Sequence, residues 1–198
     1  MKSKSFVSAL AAVFSFLIPA AASCQIMPER VHAQPTGPVY KNSVFLGWGY
    51  TSLNQVNGSR SGLQGVTGSY TRDLGDHFGV VADFSHYAWD VTATNAGSPS
   101  VNQFLVGVQA RANLYEKLSG FARGLIGTVH TGGVQIQPDY SFAGGVGIGM
   151  DYNRSARWAI RAGGDIIGSA FTVVPYRTGY STHTSWSGRG QIGIVYHF

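Results

Sequence analysis

From Ser43 onward the chain alternates apolar with polar or small residues. A period of two is the spacing at which strand side chains point to opposite faces. Segments of this kind fall near residues 43–51, 63–72, 78–88, 101–112, 120–130, 140–152, 157–168 and 187–198. A tilted strand needs about 9–11 residues to cross a bilayer, and each segment is close to that length. In the last, Ile192, Ile194, Tyr196 and Phe198 alternate with Gln191, Gly193, Val195 and His197. In the fourth, Phe104, Val106, Val108, Ala110 and Ala112 interleave with Gln103, Leu105, Gly107, Gln109 and Arg111. The seventh sets Trp158, Ile160, Ala162 and Ile166 against Arg161 and Asp165.

The connections alternate in length. Residues 73–77, 113–119 and 153–156 are short turns, whereas 52–62, 89–100, 131–139 and 169–186 are longer and rich in Gly, Ser, Thr and Asn. Short turns at one end and long loops at the other predict an all-β fold, an eight-stranded antiparallel up-and-down transmembrane β-barrel over residues 43–198. In that fold the long loops face outward from the cell, and an even strand number puts both termini on the periplasmic side.

Charged residues in the strands fall repeatedly opposite the apolar face: Asp83, Arg111, Arg123, Asp151, Arg161, Asp165 and Arg189. An arginine facing lipid at mid-bilayer costs about 2–4 kcal/mol, so these residues are expected to point inward. Eight strands leave room inside for side chains and little else. The expectation is therefore a paired Arg/Asp network that plugs the interior, since buried charge persists only when paired and hydrogen-bonded. Gly47, Gly49, Gly107 and Gly193 are expected to make space for the long arginine side chains. Trp48, Tyr50, Tyr87, Trp89, Phe121, Trp158 and Phe198, near strand ends, are expected in aromatic girdles at the two membrane interfaces.

The first 23 residues have another character. Lys2 and Lys4 precede an apolar stretch from Phe6 to Ile18, then Pro19 and the small residues Ala20 to Ser23, the order of a secretory signal peptide. That stretch is shorter than the ~20 residues of a spanning helix, and none after Ser23 approaches it. Residues 24–42, with Pro28, Pro35 and Pro38 and no periodicity, read as a periplasmic N-terminal tail. Cys24, the only cysteine, lies at the leader's edge. Ala21 to Cys24 resemble a lipoprotein cleavage box, although the position three before the cysteine is usually Leu and here is Ala. Acylation of Cys24 and ordinary cleavage near Ala22 or Ser23 both remain open.

Composition agrees with a chain whose surface is not all in water: 12% of residues are charged, against about 25% in a soluble domain. Loss of Lys2 and Lys4 with the leader leaves 12 Lys+Arg against 9 Asp+Glu, a balance too small and scattered to call for nucleic acid. The glycine run 144–149 lacks the Lys-Ser/Thr and the helix of a phosphate-binding loop. No cofactor is expected, and the dispersed histidines have no metal-ligand spacing. A lipid-modifying enzyme would need a His, a Ser and an acid together at the outer rim. The candidates are His86, His130 and His183, with Ser85, Ser181, Ser185 and Asp90. They read as polar rim and loop residues, and no catalytic role is assigned.

Three stretches resemble the small OmpA-type outer-membrane β-barrel superfamily. The first runs from Leu105–Gly107 and Arg111 through Gly120-Phe121-Ala122-Arg123-Gly124-Leu125-Ile126-Gly127. The second is Gly144-Gly145-Val146-Gly147-Ile148-Gly149-Met150-Asp151-Tyr152 with Trp158-Ala159-Ile160-Arg161 and Asp165; the third is the C-terminal strand. That resemblance implies a location among outer-membrane lipid and lipopolysaccharide. The terminal pattern Ile192, Ile194, Tyr196 and Phe198 is similar to the signal read by the barrel-assembly machinery. Members of such a superfamily serve varied ends. The expected role is non-enzymatic: a barrel presenting outer loops, with Arg60, Arg177, Trp89, Tyr140 and Tyr180 at or near them, to a surface ligand the sequence does not name. The alternatives are the lipid-modifying barrel enzyme and a soluble lipocalin-like carrier, which would put Ile192, Ile194 and Tyr196 inside and Arg111, Arg161 and Arg189 in water.

Overall fold

The computed structural model describes residues 40–54, 60–90, 99–133, 139–169 and 185–198. The expected leader, Cys24 and the tail up to residue 39 lie outside the described residues, as do Arg177, Tyr180, Ser181 and His183. Eight strands form: β1 (Asn42–Asn54), β2 (Arg60–Asp73), β3 (Phe78–Asp90), β4 (Pro99–Tyr115), β5 (Leu118–Gly133), β6 (Asp139–Asn153), β7 (Trp158–Ser169) and β8 (Ser185–His197). Each pairs antiparallel with its sequence neighbours, and β8 pairs with β1, so the sheet is a closed barrel. At the seam Phe198 N–H donates to the Asn42 carbonyl at 2.9 Å, and Asn42 N–H returns a bond to Phe198 at 3.2 Å.

The registers fix the strand tilt. Directly paired residues run Asn42, Arg72, Val80, Val108, Gly124, Val146, Ile166, Gly188 and back to β1 at Ser52, ten residues beyond the start. Strand number and stagger together set the width of a barrel, and at eight strands the interior is just wide enough for side chains.

Most strands run past their expected ends. β1 begins at Asn42, inside the expected tail, and β2 and β4 start at Arg60 and Pro99, inside expected loops. The physical reason is that backbone ladders continue where the apolar alternation has stopped. Two of the short connections shrink, to residues 74–77 and 116–117, and the third keeps four residues but moves by one, to 154–157. The register shifts at Gln64/Gly65, where a Cβ on Gly65 would meet the His86 carbonyl; only glycine lets β2 and β3 approach so closely there.

The outer face is apolar along every strand, including Leu46, Trp48, Phe84, Phe104, Ile148 and Ile192. At the short-turn end Tyr196 bridges Trp158 and Phe198, with ring centroids 4.7 and 6.1 Å away, part of an outward aromatic band. Tyr50, Trp158 and Phe198 are exposed as a girdle requires; Trp48 is exposed too, but it stands at the middle of β1 opposite Ile192 and belongs to the outward apolar face between the strand ends. Tyr87 and Phe121 are not: both lie on the inward parity of their strands and are buried, so they belong to the interior. The side chain of Trp89 lies outside the described residues. Since Ile192 is 52% exposed and lies within its strand, Ile192→Arg should cost about 2–4 kcal/mol once the barrel is in a bilayer. The same change at Phe198, beyond the strand's end, should cost about 0–1 kcal/mol, and urea unfolding in vesicles measures the difference.

Candidate functional site: the interior of the barrel

Alternation within the strands aims one side chain in two at the axis, and there the seven acidic and basic positions meet. Asp83 comes from β3, Arg123 from β5, Asp165 from β7 and Arg189 from β8, all well inside their strands. Arg123 holds Asp165 in a fork, Nε to Oδ1 and Nη2 to Oδ2, both at 2.8 Å, and its Nη1 reaches Asp83 Oδ2 at 3.2 Å. Arg189 donates from Nε to Asp165 Oδ2 at 2.8 Å, from Nη1 to Asp83 Oδ1 at 2.6 Å and from Nη2 to Asp83 Oδ2 at 3.3 Å. Each guanidinium thus touches both carboxylates, and the quartet is electrically neutral. All four side chains are at most 1% exposed. Planar forks matched to carboxylates are the geometry in which arginine pairs most strongly.

Neutral polar groups complete this layer. Arg189 Nη1 also donates to Ser85 Oγ at 2.9 Å and Gln103 Oε1 at 3.4 Å, while Ser85 donates to Asp83 Oδ1 at 3.2 Å. Thr67 Oγ1 lies 3.0 Å from Ser85 Oγ. Sequence reasoning missed Gln103 and Thr67 as members. Both are uncharged and inward by parity, which was the signal available.

A second group sits toward the short turns. Arg161 forks onto its directly paired neighbour Asp151, Nε to Oδ1 at 2.7 Å and Nη2 to Oδ2 at 2.8 Å. Its guanidinium lies over the Phe121 ring at 4.6 Å and the Phe45 ring at 5.5 Å, two cation–π contacts on one cation. Arg111 is 3.4 Å from Asp73 and 4.0 Å from Asp151 and is partly exposed at this mouth. Asp73 was not foreseen, because it stands at a strand end beside a turn. The seven expected residues therefore fall into two groups, with Asp73 the eighth member.

The interior is not polar throughout. Leu63, Tyr87, Val101, Val129, Ala143 and Ile167 are buried on the inward face in the halves of their strands nearer the long connections. Phe45, Ala159 and Val195 form a smaller cluster at the short-turn end. Inward apolar side chains pack against one another there as in a domain core, and the charged quartet is gathered between the two clusters. The glycines need correction too. A Cβ on Gly47 would meet Phe45 and the Ile192 carbonyl, and one on Gly49 the Tyr87 ring. Gly107 and Gly193 face the backbones of Gly124 and Leu46. None opens space for an arginine; they admit aromatic rings or close strand approach.

The rim residues considered for enzymatic chemistry are scattered. Ser85 points into the quartet, whereas adjacent His86 is on the opposite face, with Nδ1 2.6 Å from Asn102 Oδ1. His130 stacks on Tyr140, ring centroids 4.2 Å apart. The side chains of Asp90 and Ser185 lie outside the described residues. Among the described residues there is no group of three or more potential metal ligands.

A closed sheet with an apolar exterior and paired ions inside has the fold of the small outer-membrane β-barrels, and the reversed faces of a lipocalin-like carrier are excluded. No protein-family model matches the chain, and no curated protein matches it in sequence. Solved structures do match in fold. Neisserial surface protein A is similar with a TM-score of 0.63 at 12% identity, over 80% of this chain and 97% of that one. The attachment invasion locus protein Ail of Yersinia pestis is similar with a TM-score of 0.55 at 13% identity, over 81% of this chain and 100% of that one. Ail in complex with the heparin analogue sucrose octasulfate gives 0.51 at 14% identity, over 79% and 97%.

Proposed function

We propose that this protein is an integral outer-membrane barrel with a plugged interior, serving as a rigid anchor for its long connections as surface-interaction elements. The supporting observation is the neutral Asp83–Arg123–Asp165–Arg189 quartet, which links four strands across the axis beneath a layer of buried apolar side chains. A pore lined for ion flow needs a water-filled lumen, and eight strands leave no width for one once these side chains are in place. In this reading the short turns and both chain termini face the periplasm, and the C-terminal strand engages the assembly machinery. The partners outside are lipopolysaccharide and a surface ligand. No catalytic role is proposed.

Sucrose-gradient fractionation with heat-modifiable gel mobility tests membrane and barrel together, and the expected result is an outer-membrane band that migrates differently before and after boiling. Planar-bilayer recording tests the plug: the expected trace is flat, and steady large conductance would overturn it. Protease added to whole cells should cut within the long connections and spare the short turns.

A further inference from the structure

The outer face is not evenly ridged. Between β2 and β5 it carries a groove of about 430 Å³, where Val80, Val106, Val108 and Ile126 stand around a floor of Ala82 and Gly107. The floor is low because Ala82 carries only a methyl group on the outward face, directly paired with Val106, while Gly107, on the inward parity of β4, shows only its backbone there. The groove starts near the short-turn end, two residues into β3 at Val80, and climbs toward mid-strand at Val106 and Ile126.

Its foot is polar. Arg72 is directly paired with Val80 on one side and Asn42 on the other, so the three share the outward face. Tyr70, which also lines the groove, donates from its hydroxyl to Asn42 Oδ1 at 2.8 Å. The Arg72 side chain is exposed and forms no ion pair or side-chain hydrogen bond among the described residues. Most strand charges turn inward; this cation faces out at a strand end, where a guanidinium can reach the headgroup region while its stem lies against apolar surface.

An occupant must be apolar along its length and anionic at its base, and it must approach from the short-turn side. We propose that the groove holds one acyl chain of a phospholipid of that leaflet, with the lipid phosphate on Arg72 beside Asn42 and Tyr70. The inference rests on the membrane reading above, and adds a defined lipid site to it. It places the ligand in the periplasmic leaflet, away from lipopolysaccharide.

Native mass spectrometry provides the test, on the full chain refolded into phosphatidylethanolamine/phosphatidylglycerol vesicles and extracted in mild detergent. The parent should retain one phospholipid. Arg72→Gln should lower that fraction about fivefold, the effect of one basic residue at an anionic surface. Ala82→Leu should fill the groove and abolish retention, while Lys117→Gln, in a turn elsewhere, should change nothing. Equal retention by parent, Arg72→Gln and Ala82→Leu, all with heat-modifiable mobility, overturns the lipid site and leaves the barrel reading intact. A two-chain mass in place of the lipid also overturns it, since a second copy would then occupy the groove. Failure of the parent to insert, seen as loss of the heat-modifiable band, sinks both.

Discussion

Replacing Arg189 with alanine is expected to lower the unfolding free energy of the barrel by about 3–5 kcal/mol. The quartet holds two guanidinium groups against two carboxylates with almost no exposure, and Arg189 supplies three of its six charge-assisted hydrogen bonds. Without it, Asp83 keeps one bond from Arg123, and a net negative charge is left away from water. Cost arises from that stranded charge more than from the lost attraction. The double change Arg189→Met with Asp83→Leu removes one charge of each sign and should recover most of the loss, because balanced apolar substitution of buried ion pairs is often close to neutral. Urea unfolding of the refolded variants, followed by tryptophan fluorescence, measures both. An Arg189→Ala barrel as stable as its parent would mean that water reaches the quartet.

The second large effect is expected at a residue with no charge. Gly147 is directly paired with Asp165, and a Cβ there would collide with the Asp165 carboxylate and stand 2.9 Å from the Gly164 carbonyl. Gly147→Ala should therefore push Asp165 out of the forks of both Arg123 and Arg189, at a cost of about 2–4 kcal/mol from overpacking and a broken buried ion network. Because both routes damage one network, their costs should not add: Gly147→Ala introduced into Arg189→Ala should cost clearly less than in the parent. Full additivity in the double-mutant cycle would show that the glycine acts through strand packing alone.

How much of this was legible in the sequence depended on the length scale of the signal. Strand number, order and facing were readable because alternation flips at every residue, so an outward Ile194 and an inward Val195 leave opposite marks. Strand ends were less so: hydrogen-bond ladders extend through Ser52 and Ser100, where composition already resembles a loop. The ionic positions stood out because charge is rare in these strands. Their grouping was hidden, since Asp83 and Arg189 are 106 residues apart and meet only when the sheet closes. Parity also settles aromatic placement better than distance from a strand end. Tyr87 and Phe121 sit on odd-numbered inward positions with Ser85 and Arg123, and that, not their chemistry, sends them inside.

The seam between β1 and β8 has a practical consequence. Because Asn42 and Phe198 already exchange two backbone hydrogen bonds, the ends of the barrel are within reach of a short peptide. A rearranged gene that joins Phe198 to Tyr40 through such a linker and opens the chain within 134–138 would preserve every strand neighbour while starting synthesis at β6. Domains whose ends lie close together tolerate circular permutation of this kind. Such a chain would carry its terminal aromatic strand in the middle, separating what the strand does for closure from what it does as a C-terminus.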